Sequence, residues 1–117
     1  MKKILVTGGC GFIGFHLVRE LAGGDFNITA LDSINSYYDQ DLKYKRLEEL
    51  GVRKNDVADN IVIKSAILPD VEFIRLDTAD KENLDNLFKD RKFDIVCHLA
   101  AQAGVQYSLK NPQSYID

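Results

Sequence analysis

The chain has 117 residues, 15 Lys+Arg against 18 Asp+Glu and a net charge of −3, with 45% hydrophobic residues. That is enough for one small domain with a buried core and too short for two. The slight acidity argues against a phosphate-binding surface for nucleic acid, and the longest apolar runs, such as Ile4-Leu5-Val6, are far below the ~20 residues of a membrane span. In chain order, residues 2–7 predict a strand, nearly continuous in apolar side chains and so buried on both faces. Residues 12–22 predict a helix with Ile13, Leu17 and Leu21 on its inner face, ended by Gly23-Gly24. Residues 27–31 predict a second strand, and residues 39–50 a charged helix with Leu42, Leu47 and Leu50 apolar, closed by Gly51. Residues 52–70 are ambiguous, either irregular or carrying a short helix over 61–66. A third strand follows at 71–76, then a helix at 80–89 with Asp80 as N-cap and Leu84, Leu87 and Phe88 inward. The fourth strand is 93–99, and Asn111-Pro112 reads as the start of another helix.

Strands alternating with helices predict an α/β fold with a parallel sheet and right-handed crossovers. A doubly wound sheet containing only these four strands has the order 3-2-1-4. The break in strand order then lies between strands one and four, where such sheets bind ligands.

The chemistry concentrates after the first strand, in Thr7-Gly8-Gly9-Cys10-Gly11-Phe12-Ile13-Gly14. From Gly9 this is G-x-G-x-x-G, and from Gly8 it is G-x-x-G-x-x-G. Glycines there let the backbone turn sharply and approach a pyrophosphate, and the following helix offers it free N–H groups. The other reading of the bend is a plain tight turn. Asp32 ends the second strand 18 residues beyond Gly14, where a carboxylate accepts from the adenosine ribose hydroxyls. Neither Ser33 nor Ile34 offers a cation to a 2′-phosphate, so NAD is preferred over NADP. Asp77 either accepts from the adenine amino group or helps start the helix near Asp80. Cys10 and Cys97 read as reduced cytoplasmic thiols, although a helix N-terminus can lower the thiol pKa at Cys10. His16 and His98 have no partners at ligand spacing, so no metal is expected. Lys43, Lys45, Arg46, Arg53 and Lys54, interleaved with acids, read as a solvated helix face.

Three stretches resemble the extended short-chain dehydrogenases/reductases, and among them the NAD-dependent nucleotide-sugar epimerases and dehydratases. They are residues 7–14, the segment Leu31-Asp32-Ser33-Ile34-Asn35-Ser36-Tyr37-Tyr38-Asp39 continuing through Leu42, Lys43, Arg46 and Leu47, and His98-Leu99-Ala100-Ala101-Gln102-Ala103-Gly104-Val105-Gln106-Tyr107-Ser108 followed by Asn111-Pro112. The last two are most similar to UDP-glucuronate 4-epimerases. The resemblance implies a partial Rossmann domain spanning residues 1–117, with NAD as cofactor and a UDP-sugar as partner of the full enzyme. It places the pyrophosphate on Gly8, Gly11 and Gly14 with amides from Phe12 and Ile13, and the ribose on Asp32 with Asn35 and Ser36 beside it. Asp77 and Thr78 flank the adenine, Leu99, Ala100 and Ala101 line the cofactor, and Ala103, Gly104 and Val105 approach the sugar. Gln106 stands where the UDP-glucuronate epimerases usually show Arg.

The family's proton chemistry needs a Tyr-x-x-x-Lys pair. Four residues beyond Tyr37, Tyr38, Tyr44 and Tyr107 stand Asp41, Leu42, Glu48 and Asn111, and Tyr115 lies too near the last residue, so these 117 residues carry no such pair. It is expected to be the N-terminal segment of a longer 4-epimerase and inactive by itself. The alternatives are a segment of a sugar 4,6-dehydratase or UDP-glucuronate decarboxylase, or a non-catalytic dinucleotide-binding module. The edge of strand four is expected to self-associate or to be covered by residues 105–117.

Overall fold

The computed structural model describes residues 1–34 and 40–99. The described elements are β1 (Lys2–Thr7), α1 (Phe12–Leu21), β2 (Phe26–Asp32), α2 (Gln40–Glu49), a 3-10 turn at Lys54–Asp56, β3 (Val62–Lys64), β4 (Val71–Arg75), α3 (Lys81–Arg91) and β5 (Ile95–His98). They form one sheet in the order β3-β4-β2-β1-β5. The four expected strands are β1, β2, β4 and β5, and all their mutual pairings are parallel. Their order reproduces 3-2-1-4. The sheet is mixed rather than all parallel, because β3 adds an antiparallel edge to β4.

Strand alternation divides the core in two. Ile4 and Val6 point to one face with Ile28, Ala30 and Phe73, where α1 and α2 cover them through Phe15, Val18, Leu47 and Leu50. Leu5, Leu31, Ile74 and Val96 point to the other face, covered by Leu87 of α3. A strand buried on both sides has no polar face, which is why β1 reads as a continuous apolar run.

Three readings need correction, the first of them one of two left open. The stretch 61–66 is not helical: Val62–Lys64 pairs with β4, as a run of β-branched Ile61, Val62 and Ile63 favours. The chain then folds back on α2, where Gly51 turns at φ +87° and its carbonyl accepts from the Ala66 N–H at 2.9 Å. Second, Ile13 does not face inward but is 67% exposed. The buried residues of α1 are Gly14, Phe15 and Val18, with Leu17 and Leu21 only partly covered. The rotation follows from a close backbone contact: a Cβ on Gly14 would strike the carbonyl oxygen of Gly8, so Gly14 must face the bend. In α2, Leu47 and Leu50 are buried as expected, but Leu42 is exposed. Asp80 does cap α3, accepting from the Asn83 N–H at 3.3 Å.

Candidate functional site

The bend between β1 and α1 begins with Gly8 at φ +71°, a left-handed conformation that costs a side chain energy and glycine nothing. The Gly9 N–H donates to the Leu31 carbonyl at 3.0 Å, tying the bend to β2, and the Gly11 N–H donates to the Gly8 carbonyl at 2.9 Å. Beyond Gly11 the pattern changes. The first amide of α1 with an acceptor in the helical ladder is Phe15, donating to Gly11 at 2.9 Å. Among the described residues, the amides of Phe12, Ile13 and Gly14 have no acceptor, α1 has no side-chain cap, and no acidic residue stands in its first turn. Three open donors and the positive end of the helix dipole therefore share one spot, suited to an anion.

Asp32 lies beside this bend. Its side chain is 3% exposed and accepts on both oxygens: Oδ2 from the Cys10 N–H at 3.0 Å, and Oδ1 from the Ile34 N–H at 2.9 Å and from Lys43 Nζ at 3.0 Å. An ionised carboxylate offers about four lone-pair sites, so room remains for a further donor. The carboxylate ending β2 and the glycine bend thus belong to one structure, on the same side of the sheet edge.

The other expected residues fall at the same ends of neighbouring strands. Asp77, just past β4, is exposed, and its Oδ1 accepts from the Ala79 N–H at 2.9 Å. Its carbonyl accepts from the Asp80 N–H at 2.9 Å, so it also shapes the entry to α3. Thr78 follows it, half-buried. Leu99, after β5, is largely exposed, and its N–H donates to Thr7 Oγ1 at 2.9 Å. Thr7 Oγ1 also lies 2.9 Å from His98 Nδ1, which joins the ends of β1 and β5 across the break in strand order. Asn35, Ser36, Ala100, Ala101, Ala103, Gly104 and Val105 lie outside the described residues.

Two expectations about side chains need correction. The Cys10 thiol pKa is not lowered by the helix: the residue is fully buried, and burial with the nearby Asp32 pushes it well above the ordinary thiol range. The basic residues of α2 are not merely a solvated face. Lys43 pairs with Asp32, and Arg46 Nη1 donates to the Cys10 carbonyl at 2.8 Å. Lys43 and Arg46 each precede a buried leucine, Leu47 and Leu50, by four residues, the spacing of one helix face.

The model of the NAD dependent epimerase/dehydratase family matches residues 4–117. The chain belongs to that family. UDP-glucuronate 4-epimerase 1 of Arabidopsis thaliana is 38% identical over 114 residues, which are 97% of this chain and 23% of that protein. Protein CapI of Staphylococcus aureus is 37% identical over 115 residues, 98% of this chain and 30% of that one. The chain spans less than a third of the length of these curated relatives. Among solved structures, UDP-glucuronic acid 4-epimerase from Bacillus cereus in complex with UDP-glucuronic acid and NAD matches at a TM-score of 0.62 and 31% identity, over 91% of this chain and 28% of that one. In this family member, the parallel strands β1, β2, β4 and β5 form the Rossmann-like part of the sheet. No helix among the described residues is long and apolar enough to cross a membrane.

Proposed function

We propose that this chain is the NAD-binding segment of a nucleotide-sugar 4-epimerase of the UDP-glucuronate kind, the N-terminal part of its Rossmann domain, and that it binds the dinucleotide without turning over sugar by itself. The observation that carries this reading is the set of open amides of Phe12, Ile13 and Gly14, facing no acidic side chain of their own turn, next to a buried carboxylate at the end of β2. The residues fit the cofactor. The glycine bend admits a pyrophosphate where any Cβ on Gly14 would block the turn, and Asp32 keeps a lone pair for a ribose hydroxyl. The same carboxylate disfavours a 2′-phosphate by repulsion. Asp77 and Thr78 are assigned to the adenine, and Leu99, Ala100 and Ala101 to the cofactor wall. Asn35 and Ser36 are assigned to the ribose side, and Ala103, Gly104 and Val105 to the sugar.

Bound at this site, NAD would supply reversible hydride-transfer chemistry to the whole enzyme. This chain's residues hold and orient the cofactor, and they exclude water from the bend by burying Cys10 and Asp32. Relatives crystallised with UDP-sugar and NAD support the substrate class. Proton transfer at the sugar hydroxyl needs a tuned base, and no Tyr-x-x-x-Lys pair is present in this chain to serve as one.

Isothermal calorimetry with NAD tests the reading. Saturable binding with NAD preferred over NADP is expected, and no heat even at millimolar cofactor would overturn it. A turnover assay with UDP-glucuronate and NAD is expected to show no epimerisation by the chain alone. Self-association through β5 belongs to the same proposal. Within the described sheet β5 pairs with β1 alone, leaving its outer edge for another strand. Sedimentation showing a monodisperse monomer with rapidly exchanging β5 amides would refute it.

A further inference from the structure

Cys10 occupies the middle of the glycine bend, and both polar groups of its backbone are held by distant side chains. Its N–H donates to Asp32 at 3.0 Å, and its carbonyl accepts from Arg46 at 2.8 Å. From Gly9 to Gly11 each amide of the bend is tied, and among the described residues none from Phe12 to Gly14 is. The tied part therefore sets the direction of the open part. Gly9 and Gly11 flank Cys10, and without a Cβ they impose little steric limit on how its peptide planes rotate. Hydrogen-bond partners must fix those planes instead.

Resting on the dinucleotide reading above, we propose that Arg46 is a positioning residue for the pyrophosphate. It holds the Cys10 carbonyl, so that the Cys10–Gly11 peptide stays in the one orientation from which α1 presents its open amides. It also compensates the partial negative charge of that carbonyl oxygen. Arg46 does this from α2, an element that joins the bend only in the folded chain. Its guanidinium also lies 6.0 Å from the centre of the Phe12 ring, so the same side chain touches both the tied and the open halves. Lys43, one turn earlier, anchors the other side of the grip through Asp32. The glycine bend is thus preorganised by two cations of one helix, and ordering it on binding costs less than for a free glycine loop.

The test separates positioning from general support of the fold. NAD and adenosine are titrated separately into the wild-type chain, Arg46→Met and Arg46→Lys. Adenosine lacks the pyrophosphate, so it does not engage the open amides of α1. Arg46→Met is expected to weaken NAD by about ten- to a hundredfold, the range for losing a hydrogen bond to a charged group, with adenosine unchanged within about twofold. Arg46→Lys is expected to recover part of the loss. Unchanged NAD affinity in Arg46→Met, or equal losses for NAD and adenosine, would overturn the proposal. A second readout needs no cofactor. In a Cys97→Ser background, Cys10 is the only thiol, and Arg46→Met is expected to speed its labelling by a thiol reagent on the order of tenfold as the bend loosens. An unchanged labelling rate overturns the grip even if NAD binds. Failure of the wild-type chain to bind NAD, with labelling accelerated as expected, would instead locate the error in the dinucleotide reading and leave the grip as a structural device, overturning its role toward pyrophosphate.

Discussion

The two ends of the sheet each hold a carboxylate against a basic residue, and they use it differently. At the carboxyl ends of the strands, Asp32 is 3% exposed and accepts from two backbone amides as well as from Lys43. At the amino ends, Glu72 is 16% exposed and accepts only from side chains, Thr29 Oγ1 and Arg91 Nε, both at 2.8 Å and both on Oε2. A groove of about 210 Å³ lies at the second end, lined by Lys3, Thr29, Glu72 and Arg91 among others. Concavity alone would favour that end. There, however, Thr29, Glu72 and Arg91 satisfy one another, while among the described residues the opposite end carries donors with no acceptor. A carboxylate that holds backbone shapes a loop for a ligand, whereas one that holds side chains ties two surfaces together. Open parallel sheets bind ligands beyond the carboxyl ends of their strands for this reason, since helix N-termini collect there.

The comparison can be broken in four places. Asp32→Ala is expected to have the largest effect, because it strands Lys43 and two backbone amides in a buried site. Removing one member of a buried pair costs about 3–5 kcal/mol, read by urea denaturation, and NAD affinity should fall with it. A loss as small as at the other end would erase the distinction. Gly14→Ala forces a Cβ onto the Gly8 carbonyl, and about 1–3 kcal/mol of destabilisation with loss of NAD binding is expected from thermal melts and calorimetry. Retained NAD binding would show that the close approach of bend and helix does not matter to the site.

Cys10 gives a pH signature. Its thiol pKa is raised by burial and by Asp32, so the folded chain keeps a proton that the unfolded chain releases above the ordinary value of 9.0. The contribution is fully present below that value and is lost as the pH rises above it, by up to about 1.4 kcal/mol per pH unit. Stability measured from pH 8 to about pH 10 should fall more steeply in the wild type than in Cys10→Ala. Equal slopes would mean that the bend is open to solvent. The smallest effect is expected for Glu72→Gln at the amino end. This part-exposed pair contributes about 0–1 kcal/mol and is screened by salt, and NAD affinity should not change.

Much of this contrast was legible before folding. The glycine spacing and Asp32 mark the end proposed here for the ligand, because both requirements are local: a backbone without Cβ, and an acidic residue at the tip of a strand. The alternation of strand and helix was enough for the parallel order of β1, β2, β4 and β5. Ile13 misled because apolar spacing at four residues counts side chains but ignores the Gly14–Gly8 contact that rotates α1. The 61–66 stretch stayed ambiguous in sequence because its three-residue strand is stabilised by β4, a partner its own residues do not reveal. Arg46 went unseen as a site residue because its acceptor is a main-chain carbonyl 36 residues away, and a carbonyl has no letter in a sequence.

Composition and pattern by themselves determined that this is an α/β chain with a glycine bend, an acidic strand tip and no Tyr-x-x-x-Lys, since these are properties of residues close along the chain. Only the tertiary structure decided which atoms the bend leaves open, which face α1 turns inward, that Cys10 is sealed, and that α2 reaches across to hold it. Those outcomes depend on groups brought together from far along the chain, and their energies come from desolvation and backbone hydrogen bonds that exist only once the sheet has formed.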